Sequence, residues 1–79
     1  MIKMFSAPWC TYCNIMKDNL TEEDLEGVEI LNVDEHPNLK EKYGIRTIPA
    51  FVKLDEDGEE VDRRIGSMTR ENFLAFKNG

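Results

Sequence analysis

A pair of cysteines three residues apart, Cys10 and Cys13, constrains this chain more than any other feature of its sequence. They are the only cysteines among 79 residues, and random placement would give this separation in roughly 2.5% of cases. Pro8 precedes the pair, and residues 14–20 contain neither glycine nor proline. Because proline favours an extended residue before it and an uninterrupted run favours a helix, the pair is predicted to lie where a strand ends and a helix begins.

Three interpretations of this spacing compete. A structural disulfide that closes a ring of four residues would remove only about 2 kcal/mol from the unfolded state, against ~3 for a 15-residue loop. A zinc site needs about four ligands, and His36 is the only other strong nitrogen or sulfur donor, so carboxylates would have to complete the set. A cluster shared between chains is the related possibility.

The third interpretation, a redox pair, is favoured. Backbone amides at a helix N-terminus can lower a thiol pKa from about 8.5 toward 7 or less, so Cys10 is expected to be the attacking thiol at an exposed tip. Cys13 lies one helical turn further on nearly the same face, close enough to form a disulfide. It is therefore expected to resolve the mixed disulfide.

Charge and length exclude several classes of function. Sixteen acidic and ten basic side chains give a formal net charge of −6, which argues against binding DNA or RNA by phosphate neutralisation. The sequence has no signal-peptide apolar run and no membrane span, so we expect a cytoplasmic protein. Residues 1–79 are expected to form a single small domain.

Hydrophobic patterning and turn signals predict the element order β-α-β-α-β-β-α, a four-stranded mixed sheet with helices on its faces. Asp57-Gly58 predicts a hairpin, and Thr69 is expected to cap the last helix. The predicted strands are residues 2–5, 28–34, 50–55 and 60–65, and the predicted helices follow Cys10, Pro37 and Thr69, the last with Phe73, Leu74 and Phe76 on its buried side.

Three further expectations concern residues 21–35. The strand at 28–34 is expected to be buried on both faces toward its end, because Val28, Ile30 and Val33 are apolar. Seven carboxylates and no Lys or Arg lie between Thr21 and Glu35, a pattern typical of a solvated face. The connector 21–27 is predicted to contain a brief helical turn.

Trp9-Cys10-Thr11-Tyr12-Cys13, Thr47-Ile48-Pro49 and the element order together resemble the thioredoxin superfamily. The resemblance implies a three-layer α/β sandwich and a cis peptide bond before Pro49, beside the disulfide. The implied substrate groove is bordered by Trp9, Thr11, Tyr12, Thr47, Ile48, Pro49, Gly66 and Ser67, with the Ile48 main chain pairing with an extended client strand.

The chain also departs from that family. It matches a minimal, glutaredoxin-sized version that lacks an N-terminal strand and helix. The family's buried aspartate and its partner lysine fall at Met4 and Ile30, so its proton-transfer route is absent. The two residues between the cysteines, Thr11-Tyr12, differ both from those of common thioredoxins and from those of many glutaredoxins. Residues 67–70 lack the acidic pair with which glutaredoxins commonly hold glutathione.

The resemblance implies a protein-disulfide reductase, similar to small redoxins of phages and ribonucleotide-reductase operons. Such a monomer binds no cofactor and takes electrons from an NADPH-linked thioredoxin reductase, or alternatively from glutathione. Ribonucleotide reductase is a candidate client. Two different functions stay open at this point: a binding subunit that uses the same surface without redox chemistry, and a metal or cluster site. Arg46, Arg63, Arg64 and Arg70 are expected either to make the groove locally positive or to be solvated surface charges.

Overall fold

Seven elements follow the predicted order β-α-β-α-β-β-α in a computed structural model that describes residues 1–79. Local signals account for their ends: Thr69 caps the last helix as predicted, its Oγ1 accepting from the Asn72 N–H at 3.1 Å. Gly58 supplies the left-handed backbone, with φ +81°, that the predicted hairpin requires. The elements are β1 (Ile2–Ser6), α1 (Thr11–Asp18), β2 (Val28–Asn32), α2 (Pro37–Lys42), β3 (Ala50–Leu54), β4 (Glu60–Ile65) and α3 (Arg70–Asn78).

The four strands form one mixed sheet in the spatial order β2-β1-β3-β4. β1 and β2 are parallel, as expected for strands that a crossover helix connects. β3 runs antiparallel to both β1 and β4. The predicted four-stranded mixed sheet is confirmed.

Alternation along β1 divides the core into two layers. Met4 belongs to the layer on the side of α1 and α3, together with Met16, Phe51 and Phe73. Phe5 belongs to the opposite layer, on the side of α2, where its ring packs against Tyr43. Because successive strand residues face opposite sides of a sheet, five residues of β1 anchor helices on both faces.

Two of the three apolar residues predicted for the buried side of α3 are buried. Phe73 and Phe76 are buried against the sheet, whereas Leu74 is only half-buried. Phe73 lies edge-on to Phe51, with ring centroids 5.7 Å apart, an arrangement that aromatic pairs favour. This contact places α3 beside α1 on the same face of the sheet.

The prediction that the second strand is buried on both faces is wrong. β2 is an edge strand that ends at Asn32, and Ile30 is 41% exposed. Leu31 and Val33 are buried on the side of α2. The composition of the strand resembles that of a central strand, but only strand order determines whether a second neighbour covers it.

The acidic connector is not wholly solvated, which corrects a second expectation. Asp24 is buried, and Arg70 donates to both of its carboxylate oxygens, at 2.6 and 3.0 Å. Thr21 and Asp24 also bond reciprocally, each backbone N–H donating to the other's side chain. The connector contains one turn of helical type, as predicted, in which the Leu25 N–H donates to the Thr21 carbonyl at 3.1 Å, but it forms no longer helix. The Asp24–Arg70 pair fastens this turn to the start of α3.

The same pair predicts a specific loss of stability in acid. The hydrogen bonds from Arg70 and from the Thr21 amide hold the pKa of Asp24 well below its ordinary value of 3.8. The stabilisation is therefore complete above the unfolded pKa and is lost as the pH falls toward the lower folded pKa. We expect Asp24→Asn to be less stable at neutral pH. Its unfolding free energy should also depend less on pH than that of the wild type between about pH 4 and 2.

Urea unfolding followed by circular dichroism at several pH values measures this effect. Glu22→Gln is the matched control, because Glu22 is an exposed connector residue in no ion pair. Identical pH dependence of Asp24→Asn and Glu22→Gln would show that the Asp24–Arg70 pair does not stabilise the fold.

Candidate active site

The two cysteines lie at the start of α1, joined as a disulfide. Cys10 is the N-cap, with extended backbone at φ −85° and ψ 106°, and its Sγ accepts a hydrogen bond from the Cys13 N–H at 3.2 Å. The Asn14 side chain holds the preceding segment by donating to the Pro8 carbonyl at 3.1 Å. The sequence prediction that a helix begins at the cysteine pair is confirmed.

Cys10 is not at an exposed tip, which corrects a sequence-based expectation. It is 6% exposed, and Cys13 is fully buried. The cause is the segment before β3, whose Ile48 carbonyl oxygen lies 3.9 Å from the Cys10 sulfur. Cys10 and Ile48 are 38 residues apart in the sequence. Local helix signals therefore could not predict that the Ile48 segment covers the Cys10 sulfur.

The Ile48–Pro49 peptide bond is cis, as the family resemblance implied. Pro49 is buried, and its carbonyl accepts a hydrogen bond from the Gly66 N–H at 2.8 Å. Gly66 has φ +95°, a conformation that side-chain-bearing residues rarely adopt. Three segments distant in sequence are therefore linked: the start of α1 contacts residue 48, and Pro49 bonds to Gly66, just after β4.

A further bond from β4 supports this arrangement. The Arg63 guanidinium donates to the Tyr43 carbonyl at 2.9 Å and pairs with Glu60. Tyr43 follows α2 and begins the segment that leads to Ile48. Arg63 thus fastens β4 to the chain that passes in front of Cys10.

Trp9 is 67% exposed beside Cys10, and its indole N–H donates to the Asp34 carboxylate at 2.8 Å. Asp34 was not among the predicted site residues. A signal was nevertheless present, because Asp34 follows β2 and Trp9 follows β1, and the carboxyl ends of adjacent parallel strands lie at one edge of a sheet. The bond restrains an aromatic surface that would otherwise be free to rotate.

No side chain of the predicted groove residues makes a hydrogen bond to either cysteine. Tyr12 is 66% exposed, and Ile48 and Gly66 are half-buried. The structure brings Cys10, Cys13, Ile48, Pro49 and Gly66 together through the contacts above. Thr11, Thr47 and Ser67 are exposed.

Three of the four arginines proposed to make the groove positive are locally neutralised. Arg63 pairs with Glu60, Arg64 with Asp62 and Arg70 with Asp24. Of these four arginines, only Arg46 is left without a carboxylate partner, and it lies two residues before Ile48.

The disulfide lies in an apolar cluster that includes Phe5 and Ala7. Met4 is fully buried in the other layer of the core, and its register partner across β1 and β2 is the partly exposed Ile30. Met4 and Ile30 stand at the positions where the thioredoxin superfamily, by the resemblance described above, has a buried aspartate and its partner lysine. His36, the N-cap position of α2, makes no side-chain capping bond, and no group of three or more His, Cys, Asp or Glu side chains converges anywhere in the molecule.

Comparison with known proteins agrees with this geometry. A family model described as a thioredoxin-like domain matches residues 1–78. Thioredoxin of Rickettsia bellii is 37% identical over 94% of this chain and 74% of its own length, and thioredoxin of Chlamydia caviae is 33% identical over 94% and 76%. The chain belongs to the thioredoxin family. It is accordingly a thiol–disulfide oxidoreductase, and these relatives do not favour the glutaredoxin alternative.

Two solved structures confirm the thioredoxin fold. One is thioredoxin-2 of the malaria parasite, described as a component of its protein secretion machinery, with a TM-score of 0.83 at 14% identity over 98% of this chain and 79% of that one. The other is Malassezia sympodialis thioredoxin, with a TM-score of 0.78 at 23% identity over 98% and 71%. Thioredoxins need no bound cofactor, and they act on protein disulfides together with a reductase.

None of the helices has the length and apolar character needed to cross a membrane.

The Trp9–Asp34 bond can be tested directly because Trp9 is the only tryptophan. A net hydrogen bond is worth about 1 kcal/mol, which corresponds to roughly a fivefold shift between an anchored and a free indole. We expect Asp34→Ala to lower the fluorescence anisotropy of Trp9 at fixed protein tumbling time. Asp34→Asn should preserve it, since an amide oxygen also accepts. Equal anisotropy in both variants would show that Asp34 does not restrain the indole.

Proposed function

We propose that this thioredoxin-family chain reduces disulfide bonds of client proteins, with Cys10 as the nucleophile and Cys13 as the resolving thiol. The observation that supports these roles most is the hydrogen bond from the Cys13 N–H to the Cys10 sulfur at the start of α1. A partial positive charge directed at that sulfur favours its thiolate, and the thiolate is the nucleophile in disulfide exchange.

The proposed reaction has two displacements. The Cys10 thiolate attacks one sulfur of the client disulfide, and the other client sulfur leaves as a thiolate that takes up a proton. The Cys13 thiol then loses its proton and attacks the Cys10 sulfur, which releases the first client sulfur as a thiolate. The client gains two electrons and two protons, and the protein ends with the Cys10–Cys13 disulfide.

The proton of Cys13 needs an acceptor in the second step. Cys13 is fully buried, and its surroundings are Phe5, Ala7, Cys10 and other members of an apolar cluster. The nearest developing base is then the client thiolate that leaves Cys10. We assign the proton to this leaving group, which removes the need for a buried carboxylate.

The segment in front of Cys10 is proposed to position the client. Because the Ile48 carbonyl lies 3.9 Å from the Cys10 sulfur, an extended chain that bonds to the Ile48 main chain brings its own sulfur toward Cys10. Trp9, Tyr12 and Ser67 are exposed around this point. The proposed client-binding set is Trp9, Thr11, Tyr12, Thr47, Ile48, Pro49, Gly66 and Ser67.

A thioredoxin reductase linked to NADPH is the proposed electron donor, with glutathione as the alternative. Residues 67–70 carry no acidic pair that could hold a glutathione amino group, and the relatives are thioredoxins. We further propose a monomeric single domain, residues 1–79, that acts in the cytoplasm. Ribonucleotide reductase is one candidate client.

Cysteine variants test the roles of the two thiols. Cys13→Ser should accumulate the mixed disulfide with a disulfide-containing client, because the resolving step is missing. Cys10→Ser should lose all exchange, because the remaining thiol is fully buried. Insulin reduction and nonreducing electrophoresis measure both outcomes, and separate assays with thioredoxin reductase and with glutathione identify the donor. An active Cys10→Ser protein would overturn the assignment.

Arg46 predicts a preference for acidic clients. Arg46 lies two residues before Ile48 and pairs with no carboxylate, and an unpaired positive charge in this segment would raise the encounter rate of negatively charged clients. We expect Arg46→Gln to lower kcat/KM for a disulfide peptide flanked by aspartates by about 3–10-fold, and to change it little for a lysine-flanked peptide. Arg64→Gln is the control, because Arg64 is paired with Asp62. Equal effects of the two substitutions would exclude a specific role for Arg46.

A further inference from the structure

The outer edge of β2 carries backbone groups without partners. The Gly27 carbonyl and the Val33 N–H both bond to β1, so the odd-numbered residues between them face β1. Alternation directs the backbone groups of Val28, Ile30 and Asn32 outward. The Val28 N–H and the Asn32 carbonyl are used by local turns. Four outward-facing backbone groups along the edge have no hydrogen-bond partner: the Val28 carbonyl, the Ile30 N–H and carbonyl, and the Asn32 N–H.

An apolar side chain and a cavity accompany this open edge. Ile30 is 41% exposed at the centre of the strand. Ile30 and Asn32 share one face of β2 and line a cavity of about 400 Å³. Ser6 also lines the cavity, although it is only 2% exposed.

Carboxylates bracket the edge at both ends. Seven carboxylates lie between Thr21 and Glu35, and three of them have partners. Asp24 pairs with Arg70, Glu29 pairs with Lys3, and Asp34 accepts from the Trp9 indole N–H. The other four are exposed and in no ion pair: Glu22, Glu23, Glu26 and Glu35. Glu26 lies just before β2, and Glu35 lines the cavity just after it, together with the single lysine of the lining, Lys17.

We propose that the β2 edge binds an extended segment of a basic partner protein by strand addition. The main chain of the segment bonds to the free groups of β2, an apolar side chain covers Ile30, and lysines or arginines of the segment lie against Glu26 and Glu35. Strand addition takes affinity from the main chain and specificity from alternate side chains. A second copy of this chain is disfavoured as the occupant, because it would bring two sets of unpaired carboxylates together.

The other edge of the sheet lacks this charge pattern. Val61 on β4 is 57% exposed, so an apolar contact is equally available there. The charges of β4 are instead paired within the strand, Arg63 with Glu60 and Arg64 with Asp62. The exposed carboxylates Glu56, Asp57 and Glu59 precede β4 but none directly follows it, so β4 serves as an internal control for an exposed edge that is not bracketed by unpaired carboxylates at both ends.

The probe is an eight-residue peptide that alternates lysine with valine or threonine and is blocked at both ends. Titration into the isotopically labelled protein should shift the backbone amide signals of Ile30 and Asn32. Binding should weaken as salt rises from about 50 to about 300 mM, since exposed charge pairs are screened. The same peptide with glutamate in place of lysine should not bind.

Two matched pairs of variants locate the site. Ile30→Ser should weaken binding at least fivefold, and Val61→Ser should not. Glu26→Gln with Glu35→Gln should weaken binding and reduce its salt dependence, whereas Glu56→Gln with Glu59→Gln in the β3–β4 turn should do neither.

Three results would overturn the proposal. One is a set of shifts confined to the surface around Trp9 and Ile48. Another is equal binding of the acidic and basic peptides. The third is a dimer in sedimentation that Ile30→Ser dissociates, which would assign the edge to self-association.

Discussion

The structure depends on one hydrogen bond at the start of α1, from the Cys13 amide to the Cys10 sulfur. Cys10 occupies a position where helices commonly have an oxygen acceptor, and its sulfur takes that role. The bond orders the first turn of the helix and directs partial positive charge at the sulfur. The same contact begins a structural element and, in the proposed mechanism, activates the Cys10 nucleophile.

The surrounding fold holds this turn against a segment from a distant part of the chain. Residues 48–49 lie over Cys10, Gly66 bonds to Pro49, and Arg63 bonds to Tyr43. The last two bonds join β4 to the chain in front of the disulfide. The cysteines lie in an apolar cluster with Phe5 and Ala7. In the proposed mechanism, the second displacement therefore passes its proton to the client thiolate rather than to a buried carboxylate.

Local signals were enough to predict the element order, the hairpin at Asp57-Gly58 and the cap at Thr69, because each depends on residues close in sequence. The family resemblance supplied the cis bond before Pro49. What could not be predicted depends on distant partners. Arg70 reaches Asp24 across 46 residues, and Asp34 reaches Trp9 across 25. The exposure of Ile30 depends on strand order, and the burial of Cys10 depends on where Ile48 lies.

The central claim is that the helix N-terminus makes Cys10 a readily ionised thiol. The direct measurement is the rate of alkylation of Cys10 by iodoacetamide in the reduced protein between pH 5 and 10, with the modified residue identified by mass spectrometry. The account predicts an apparent pKa clearly below the free-cysteine value of about 8.5, near 7 or lower. An apparent pKa at or above about 8.5 would contradict it.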